Sequence, residues 1–334
     1  MPVLDARRRP LRDVRVSVTD RCNFRCRYCM PREVFGADFT FLPRTELLSF
    51  EEITRVVAAC ARAGARKVRL TGGEPLLRRD LPRLVSMLAA IPGIEDLALT
   101  TNGSLLDRQA EALKAAGLTR ITVSLDSLDP ATFAALGDTK VPLRTVLAGI
   151  EAAGAAGLTP LKVNTVVRRG VNDTEAVALA AYGRQHGLVI RFIEYMDVGS
   201  TNGWRSDEVV PSAELAERIG AVFPLEPAET AYAGEVARRW RYADGGGEVG
   251  FISSVSSPFC GDCTRARVTA IGEVYTCLFA SSGRDVRRVL RSGCSDAELD
   301  AFVSGLWSVR DDAYSENRAS RSGGARAEMS YLGG

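Results

Sequence analysis

The chain has one histidine, His186, in 334 residues. That excludes a metal site built on several imidazoles and leaves a histidine-based catalytic triad a single possible base. Lysine is nearly as scarce: Lys67, Lys114, Lys140 and Lys162 complete the set, and arginine supplies almost all the positive charge. The net charge is only +2, from 43 basic and 41 acidic residues, too balanced for a generic nucleic-acid or membrane-surface binder. No apolar run approaches the ~18 residues a transmembrane helix needs, and residues 1–13 carry charges where an export signal has its apolar stretch. These absences point to a cytoplasmic protein with no membrane and no nucleic acid among its partners. Hydrophobic content of 46% is ample for a core, and the length suits two domains or one barrel with an appendage.

What is present is periodic. Between residues 11 and 196 one unit recurs: an amphipathic helix, a glycine, then a short β-branched run. The glycines Gly64, Gly117, Gly157 and Gly187 stand where helix C-caps belong. Runs at 11–19, 67–71, 97–102, 119–126, 161–167 and 189–196 predict six strands. Stretches 50–63, 81–90, 107–116, 143–156 and 173–185 predict the helices between them. That alternation indicates βα units and a parallel sheet.

Within the strands one parity is apolar: Val14, Val16, Val18, Val68, Leu70, Ile121, Val123, Leu125, Val163 and Val167. The other carries Arg15, Ser17, Lys67, Arg69, Thr71, Thr100, Asn102, Thr122, Ser124, Asp126, Lys162 and Asn164. One face therefore packs on helices while the other lines something polar. A parallel sheet with one solvated face is uncommon, so the pattern predicts a partly open α/β barrel with a ligand in its lumen.

Beyond Met196 the pattern changes. A loop at 197–205 and a helix at 211–219 precede short strands within 239–254 and 265–278, with turns at 244–247 and Gly272. Residues 285–310 read as helical and 315–334 as a polar, glycine-rich tail, mobile unless docked. The division expected is 1–200 for the barrel and 201–334 for a smaller C-terminal domain, irregular enough to need a metal site to hold it together.

Eight cysteines without an export signal read as reduced thiols or metal ligands. Cys22, Cys26 and Cys29 form a C-x3-C-x2-C group directly after the first strand, at the barrel mouth where such folds place their chemistry. Three thiolates can hold a cubane iron–sulfur cluster and leave one iron open; zinc is the rival, but a structural zinc wants four closed ligands. Cys260 and Cys263, followed by Cys277 after a hairpin turn, make a second three-thiolate site plausible. Cys60 and Cys294 read as structural. Arg15, Arg69 and Lys162 point into the lumen by alternation, and Arg265 and Arg267 share a face. Several cations converging on a cavity suit a polyphosphate or another multi-anion.

The segment Asp20-Arg-Cys-Asn-Phe-Arg-Cys-Arg-Tyr-Cys-Met-Pro31 resembles the cluster motif of the radical S-adenosylmethionine (SAM) enzymes, and Thr71-Gly-Gly-Glu-Pro75 resembles their SAM-binding motif. Pro258-Phe-Cys-Gly-Asp-Cys-Thr-Arg-Ala-Arg267, Arg191-Phe-Ile-Glu-Tyr-Met-Asp-Val-Gly199 and the terminal Gly333-Gly334 are similar to the GTP 3′,8-cyclase family of molybdenum cofactor biosynthesis. Thr264 stands where asparagine is more usual there, and Ala266 is smaller than the usual aliphatic residue. The resemblance implies a partial (β/α)6 barrel, two [4Fe-4S] clusters on the two cysteine trios, and SAM on the open iron of the first. It implies that Tyr28, Gly73, Ser124 and Met196 contact SAM and that Arg15, Arg69, Thr100, Lys162, Arg265 and Arg267 contact GTP, with guanine on the second cluster. It further implies that Arg15, Arg265, Arg267, Gly333 and Gly334 serve catalysis, the glycines by entering the barrel. A 5′-deoxyadenosyl radical would take hydrogen from C3′, the C3′ radical would add to C8, and reduction would give 3′,8-cyclo-7,8-dihydro-GTP. An unidentified reductant and cyclic pyranopterin monophosphate synthase (MoaC) are the implied partners, with a monomer or homodimer as the assembly. The nearest rival is a radical SAM peptide-modifying enzyme with an auxiliary cluster.

Overall fold

The computed structural model describes residues 2–230, 232, 234–318 and 326–333. The barrel half comprises β1 (Asp13–Ser17), α1 (Phe50–Ala63), β2 (Lys67–Thr71), α2 (Leu81–Ala89), β3 (Asp96–Thr101), α3 (Ala110–Ala115), β4 (Arg120–Ser124), α4 (Pro130–Gly137), α5 (Leu143–Ala155), β5 (Lys162–Val167), α6 (Ala176–His186) and β6 (Val189–Glu194). There follow α7 (Ser212–Gly220), β7 (Leu225–Pro227), β8 (Arg238–Tyr242), β9 (Glu248–Ile252), β10 (Arg265–Val268), β11 (Glu273–Tyr275), β12 (Arg284–Asp285), α8 (Val286–Arg291), α9 (Asp296–Ser308) and α10 (Met329–Leu332).

Local chemistry sets the helix limits. Ser49 and Glu52 form a reciprocal capping box at the start of α1, satisfying two donors that a helix end leaves open. The helix then buries Ile53, Val56, Val57 and Cys60 against the sheet side, so Cys60 is a core residue. The glycines after α1, α3, α5 and α6 all have positive φ, as the C-cap reading requires.

All twelve strands join one sheet, in the order β12-β11-β10-β1-β2-β3-β4-β5-β6-β9-β8-β7. From β10 to β9 every pairing is parallel, and the outer pairs are antiparallel. Flat, those eight parallel strands would put β10 and β9 roughly 34 Å apart at ~4.8 Å per spacing. Yet Arg265 of β10, Arg15 of β1, Thr100 of β3, Asn164 of β5, Arg191 of β6 and Ile252 of β9 line one recess. The sheet is therefore curled into a partial barrel with its polar parity inward, and Val14, Val16, Val68, Leu70, Ile121, Val123 and Val163 are buried under the helices.

The six predicted barrel strands are all present. Two features depart from the sequence reading. α4 fills a stretch assigned no element, although Asp129 caps it through Thr132 N at 2.8 Å and Pro130 occupies its first turn. The 285–310 helix is two helices, because Ser295 opens a new capping box with Glu298 after the turn at Gly293. Of the tail's described residues, Arg318 (3.0 Å) and Arg326 (2.8 Å) donate to Asp197, beside Tyr314 (2.7 Å), and Glu328 accepts from Ser200 N at 2.9 Å. No described helix is long and apolar enough to cross a membrane.

Glu194, fully buried at the end of β6, joins the two halves. Its carboxylate accepts from Ser212 N and Oγ at 2.8 and 2.9 Å, from Val255 N and Ser256 N at 2.8 Å each, and from Ser256 Oγ. Glu194→Ala leaves three backbone donors without an acceptor, so it should cost about 3 kcal/mol or more. Ser49→Ala, which removes one exposed cap, should cost about 1 kcal/mol. Urea unfolding of the metal-free protein ranks the two, and equal losses would contradict the assignment.

Candidate functional site

Where β1 ends the chain turns across the barrel mouth, and the first cysteine trio lies in that turn. Backbone bonds Cys29 N to Cys26 O (2.9 Å) and Met30 N to Cys26 O (2.8 Å) coil it, while Arg25 donates to Cys22 O at 2.8 Å. Cys22 Sγ accepts from Phe24 N at 3.4 Å. Phe24 is buried and packs edge-on against Phe133 of α4, at 6.0 Å between ring centroids. The turn after β2 presses on this loop from below. A Cβ on Gly73 would sit 2.3 Å from Arg21 O, and one on Gly72 2.5 Å from Thr19 O, so only glycine permits the approach. Glu74 then ties β2 to β3, accepting from Leu76 N, Thr101 Oγ1 and Asn102 N at 2.7–2.9 Å; burial lifts its pKa to about 7.

The second trio lines the same cavity as the first. Cys260 and Cys263 bracket a short 3-10 turn just before β10, and Cys277 follows β11. All six cysteines line one cavity of about 250 Å³. Burial pushes Cys22 and Cys277 up to about 11 and Cys29 up to about 12. Cys263 differs: although burial opposes ionisation, the guanidiniums of Arg265 and Arg310 bring it down to about 6, and Arg265 donates to its Sγ at 3.3 Å. Among the described residues no three His, Cys, Asp or Glu side chains converge on a point tightly enough to hold one metal ion. Each trio is an all-thiolate set spread around the cavity wall, a donor set that fits a multi-iron cluster.

A basic recess adjoins this cavity and shares Arg15, Thr100, Asn164 and Arg265 with it. Strand register builds it: Arg15 lies beside Arg267 of β10 on one side and beside Arg69 of β2 on the other. Burial and then repulsion from Arg267, Arg265 and Arg69 hold the Arg15 guanidinium well below its ordinary range. Burial, aided by Arg265, brings Arg267 down to about 10; burial with Arg69 and Arg120 does the same to Arg191. Lys67 falls to about 8 through burial, against the pull of Asp13, and Lys162 to about 7 through burial with Arg191 and Arg120. Arg265 Nε and Asn164 Oδ1 are buried with no partner. Asp13 and Glu235 also line the recess, and the five cations that outnumber them, with the orphaned polar atoms, suit a polyanion.

Of the residues named from sequence, Arg15, Tyr28, Gly73, Thr100, Ser124, Met196, Arg265, Arg267 and the six cysteines line the large cavity, and Arg69 lines the recess. Tyr28 donates to Asp126 at 2.7 Å, and Arg69 donates to Thr100 Oγ1 at 2.8 Å. Lys162 lines neither space, although its charge is felt beside Arg191 and Glu235. Gly333 reaches the barrel mouth: its carbonyl accepts from Arg267 at 3.0 Å, and a Cβ there would lie 2.4 Å from Thr71 and 2.5 Å from Ser17. Gly334 lies outside the described residues. Lys67, Asn164 and Asp126 sat on the polar parity without being named as site residues. Arg191, at an inward position of β6, was findable by the same alternation. Arg310 and Tyr232 had no signal, since only the fold brings them in.

Residues 16–182 match the Radical SAM superfamily and residues 188–316 match Molybdenum Cofactor Synthesis C. The GTP 3′,8-cyclase of Acidothermus cellulolyticus is 57% identical over 100% of this chain and 99% of its own length. The chain belongs to the GTP 3′,8-cyclase family. Two further family members are those of Xanthomonas axonopodis pv. citri (54% identical, 100% of this chain and 99% of that one) and Staphylococcus aureus strain MRSA252 (46%, 98% and 97%). Among solved structures, Streptococcus suis SuiB bound to precursor peptide SuiA superposes with a TM-score of 0.64 at 14% identity, covering 94% of this chain and 67% of that one. SuiB bound to S-adenosylmethionine gives 0.59 at 15% identity, covering 80% and 60%. At that identity the likeness is one of fold: a partial radical SAM barrel with a C-terminal extension. Membership of the superfamily brings a [4Fe-4S] cluster and SAM with it.

Charge regulation in the recess of this GTP 3′,8-cyclase family member gives a pH signature. Burial brings Lys162 down to about 7 and Lys67 to about 8, and a bound polyanion would raise both again. Affinity for inorganic triphosphate should therefore fall as pH rises through these values, by up to about one log unit per pH unit for each lysine. Calorimetry in buffers of different ionisation enthalpy should show proton uptake on binding, and Lys162→Met should reduce it. A flat profile across that range would refute the arrangement.

Proposed function

We propose that this protein converts GTP to (8S)-3′,8-cyclo-7,8-dihydroguanosine 5′-triphosphate, the first step of molybdenum cofactor biosynthesis. The observation that carries the reading is the placement of two all-thiolate trios in one cavity that adjoins a recess where Arg15, Lys67, Arg69, Arg191 and Arg265 outnumber the carboxylates of Asp13 and Glu235. Cys22, Cys26 and Cys29 would hold the cluster that binds SAM, and Cys260, Cys263 and Cys277 a second [4Fe-4S] cluster next to guanine. When bound, the first cluster with SAM supplies the 5′-deoxyadenosyl radical that abstracts hydrogen from C3′ of GTP.

The chain's own residues position the reactants. Arg15, Arg69, Lys67 and Arg191 bind the triphosphate, with Lys162 adding charge from behind, and so fix the ribose relative to both trios. Thr100 is held by Arg69 and presents its hydroxyl to the same ligand. Tyr28, anchored on Asp126, joins Gly73, Ser124 and Met196 around SAM. Arg265 and Arg267 face the space between the trios, where charge and hydrogen-bonding direction matter most. Gly333 sits on Arg267, so the tail closes that space and keeps water from a reactive carbon centre. The cyclised triphosphate would pass to cyclic pyranopterin monophosphate synthase (MoaC), and a separate reductant would deliver the electron.

The deciding experiment is anaerobic turnover of iron- and sulfide-loaded protein with SAM, a reductant and GTP deuterated at C3′. Deuterium in 5′-deoxyadenosine together with the cyclic product is the expected result; GTP recovered unchanged would overturn the reading. Deleting Gly333 and Gly334 should abolish cyclisation while iron content stays unchanged. Arg69→Ala should raise KM for GTP by about tenfold or more, the worth of one charge-assisted phosphate contact, and a normal KM would remove Arg69 from the phosphate site.

A further inference from the structure

Residues 5–9 supply no barrel strand, yet with Arg310 they form a buried ion triad beside the second trio. Asp5 is fully buried and accepts from Arg9 Nε at 2.7 Å and from Arg310 Nη1 at 2.9 Å, both guanidiniums being almost wholly enclosed. Arg9 donates through Nη1 to the carbonyl oxygens of Cys260 (2.6 Å) and Asp312 (2.8 Å). Arg310 donates to the carbonyls of Cys263 (2.8 Å) and Thr276 (3.1 Å), the latter immediately before Cys277. Trp307 locks the pair: its ring lies under Arg310 at 4.6 Å, and its indole N–H donates to Arg9 O at 3.0 Å. Every segment that supplies a cysteine to the second trio is thus gripped through its backbone by one of two arginines, and both arginines rest on one carboxylate.

We infer that Asp5, Arg9 and Arg310 are positioning residues of the second cluster, holding its three thiolates at a fixed spread. The inference rests on the proposed second-cluster reading and adds to it a part of the chain some 250 positions away. A surface ion pair has no need of three cysteine-segment carbonyls, and these buried guanidiniums are held by the Asp5 carboxylate and backbone carbonyls, with Arg9 Nη2 alone left without a partner. The arrangement uses guanidinium geometry, not charge alone, since each arginine spans two acceptors that an ammonium cannot reach together. Outer-shell groups of this type usually change metal affinity by about 10–100-fold when altered.

The test uses the full chain with Cys22, Cys26 and Cys29 all changed to Ala, so that cluster iron can sit only on the second trio. Arg310→Lys and, separately, Arg9→Lys are introduced, with exposed Arg62→Lys as control, and each protein is loaded anaerobically with iron and sulfide. Iron release to a ferrous chelator and the electron paramagnetic resonance of the reduced cluster are read. Release faster by about tenfold or more in both variants, with an altered spectrum and an unchanged control, is the expected result. Release as slow as the parent's, with the parent's spectrum, overturns the inference. If Arg310→Lys does not fold, judged by thermal unfolding of the metal-free protein, Arg9→Lys decides alone. A parent that binds no iron overturns the second-cluster reading itself, whereas a loaded parent with indifferent variants overturns only the positioning role.

Discussion

Three guanidiniums stand side by side on the inner face of the sheet, those of Arg267, Arg15 and Arg69, each on a neighbouring parallel strand at the same level. Like charges directly opposite one another in a sheet are unfavourable. Two of the three are anchored: Arg69 donates to the hydroxyls of Thr100 and Thr122, and Arg267 donates to the carbonyl of Gly333. Much of the remaining structure follows from having to keep that row dry, separated and open to an anion. The apolar parity of the same strands fastens the outer face to the helices, which leaves the cations no outward escape.

The second constraint is topological. A parallel sheet that stopped at β1 and β6 would leave two open edges and a lumen lined on one side only. β10 adds to β1 and β9 adds to β6, so the C-terminal half supplies both flanks of the barrel. That addition brings Cys260, Cys263 and Cys277 to the cavity that Cys22, Cys26 and Cys29 line, and it brings Arg265 and Arg267 into register with β1. Glu194 makes the joint firm by collecting donors from α7 and from the 253–257 turn on one carboxylate. The two trios therefore share a cavity because of strand pairing.

Much of this was legible beforehand. Strand parity placed Arg15, Arg69, Thr100 and Ser124 on the inner face, because side-chain direction alternates with a period of two whatever the tertiary context. Spacing alone marked the six cysteines. Arg191 was overlooked although the same alternation on β6 applies to it. Lys162 shows the limit of parity: it is buried and lines neither the cavity nor the recess. α4 was missed because its hydrophobic face is short and mixed, and its cap, Asp129 with Pro130, reads equally well as a turn.

By itself the sequence determined the periods: two for strands, near 3.6 for helices, and the tight intervals between cysteines, all of which depend on neighbours a few residues apart. It also determined the absence of imidazole and the supply of arginine, and so the kind of chemistry open to the site. Only the tertiary structure decided which distant pieces meet. The pairing of β10 with β1, the reach of Gly333 to Arg267, and the grip of Arg9 and Arg310 on the cysteine segments span from 34 to more than 250 positions. No local pattern encodes such contacts, because each is fixed by the shared burial of charges and apolar faces that acquire a common location only once the sheet has curled.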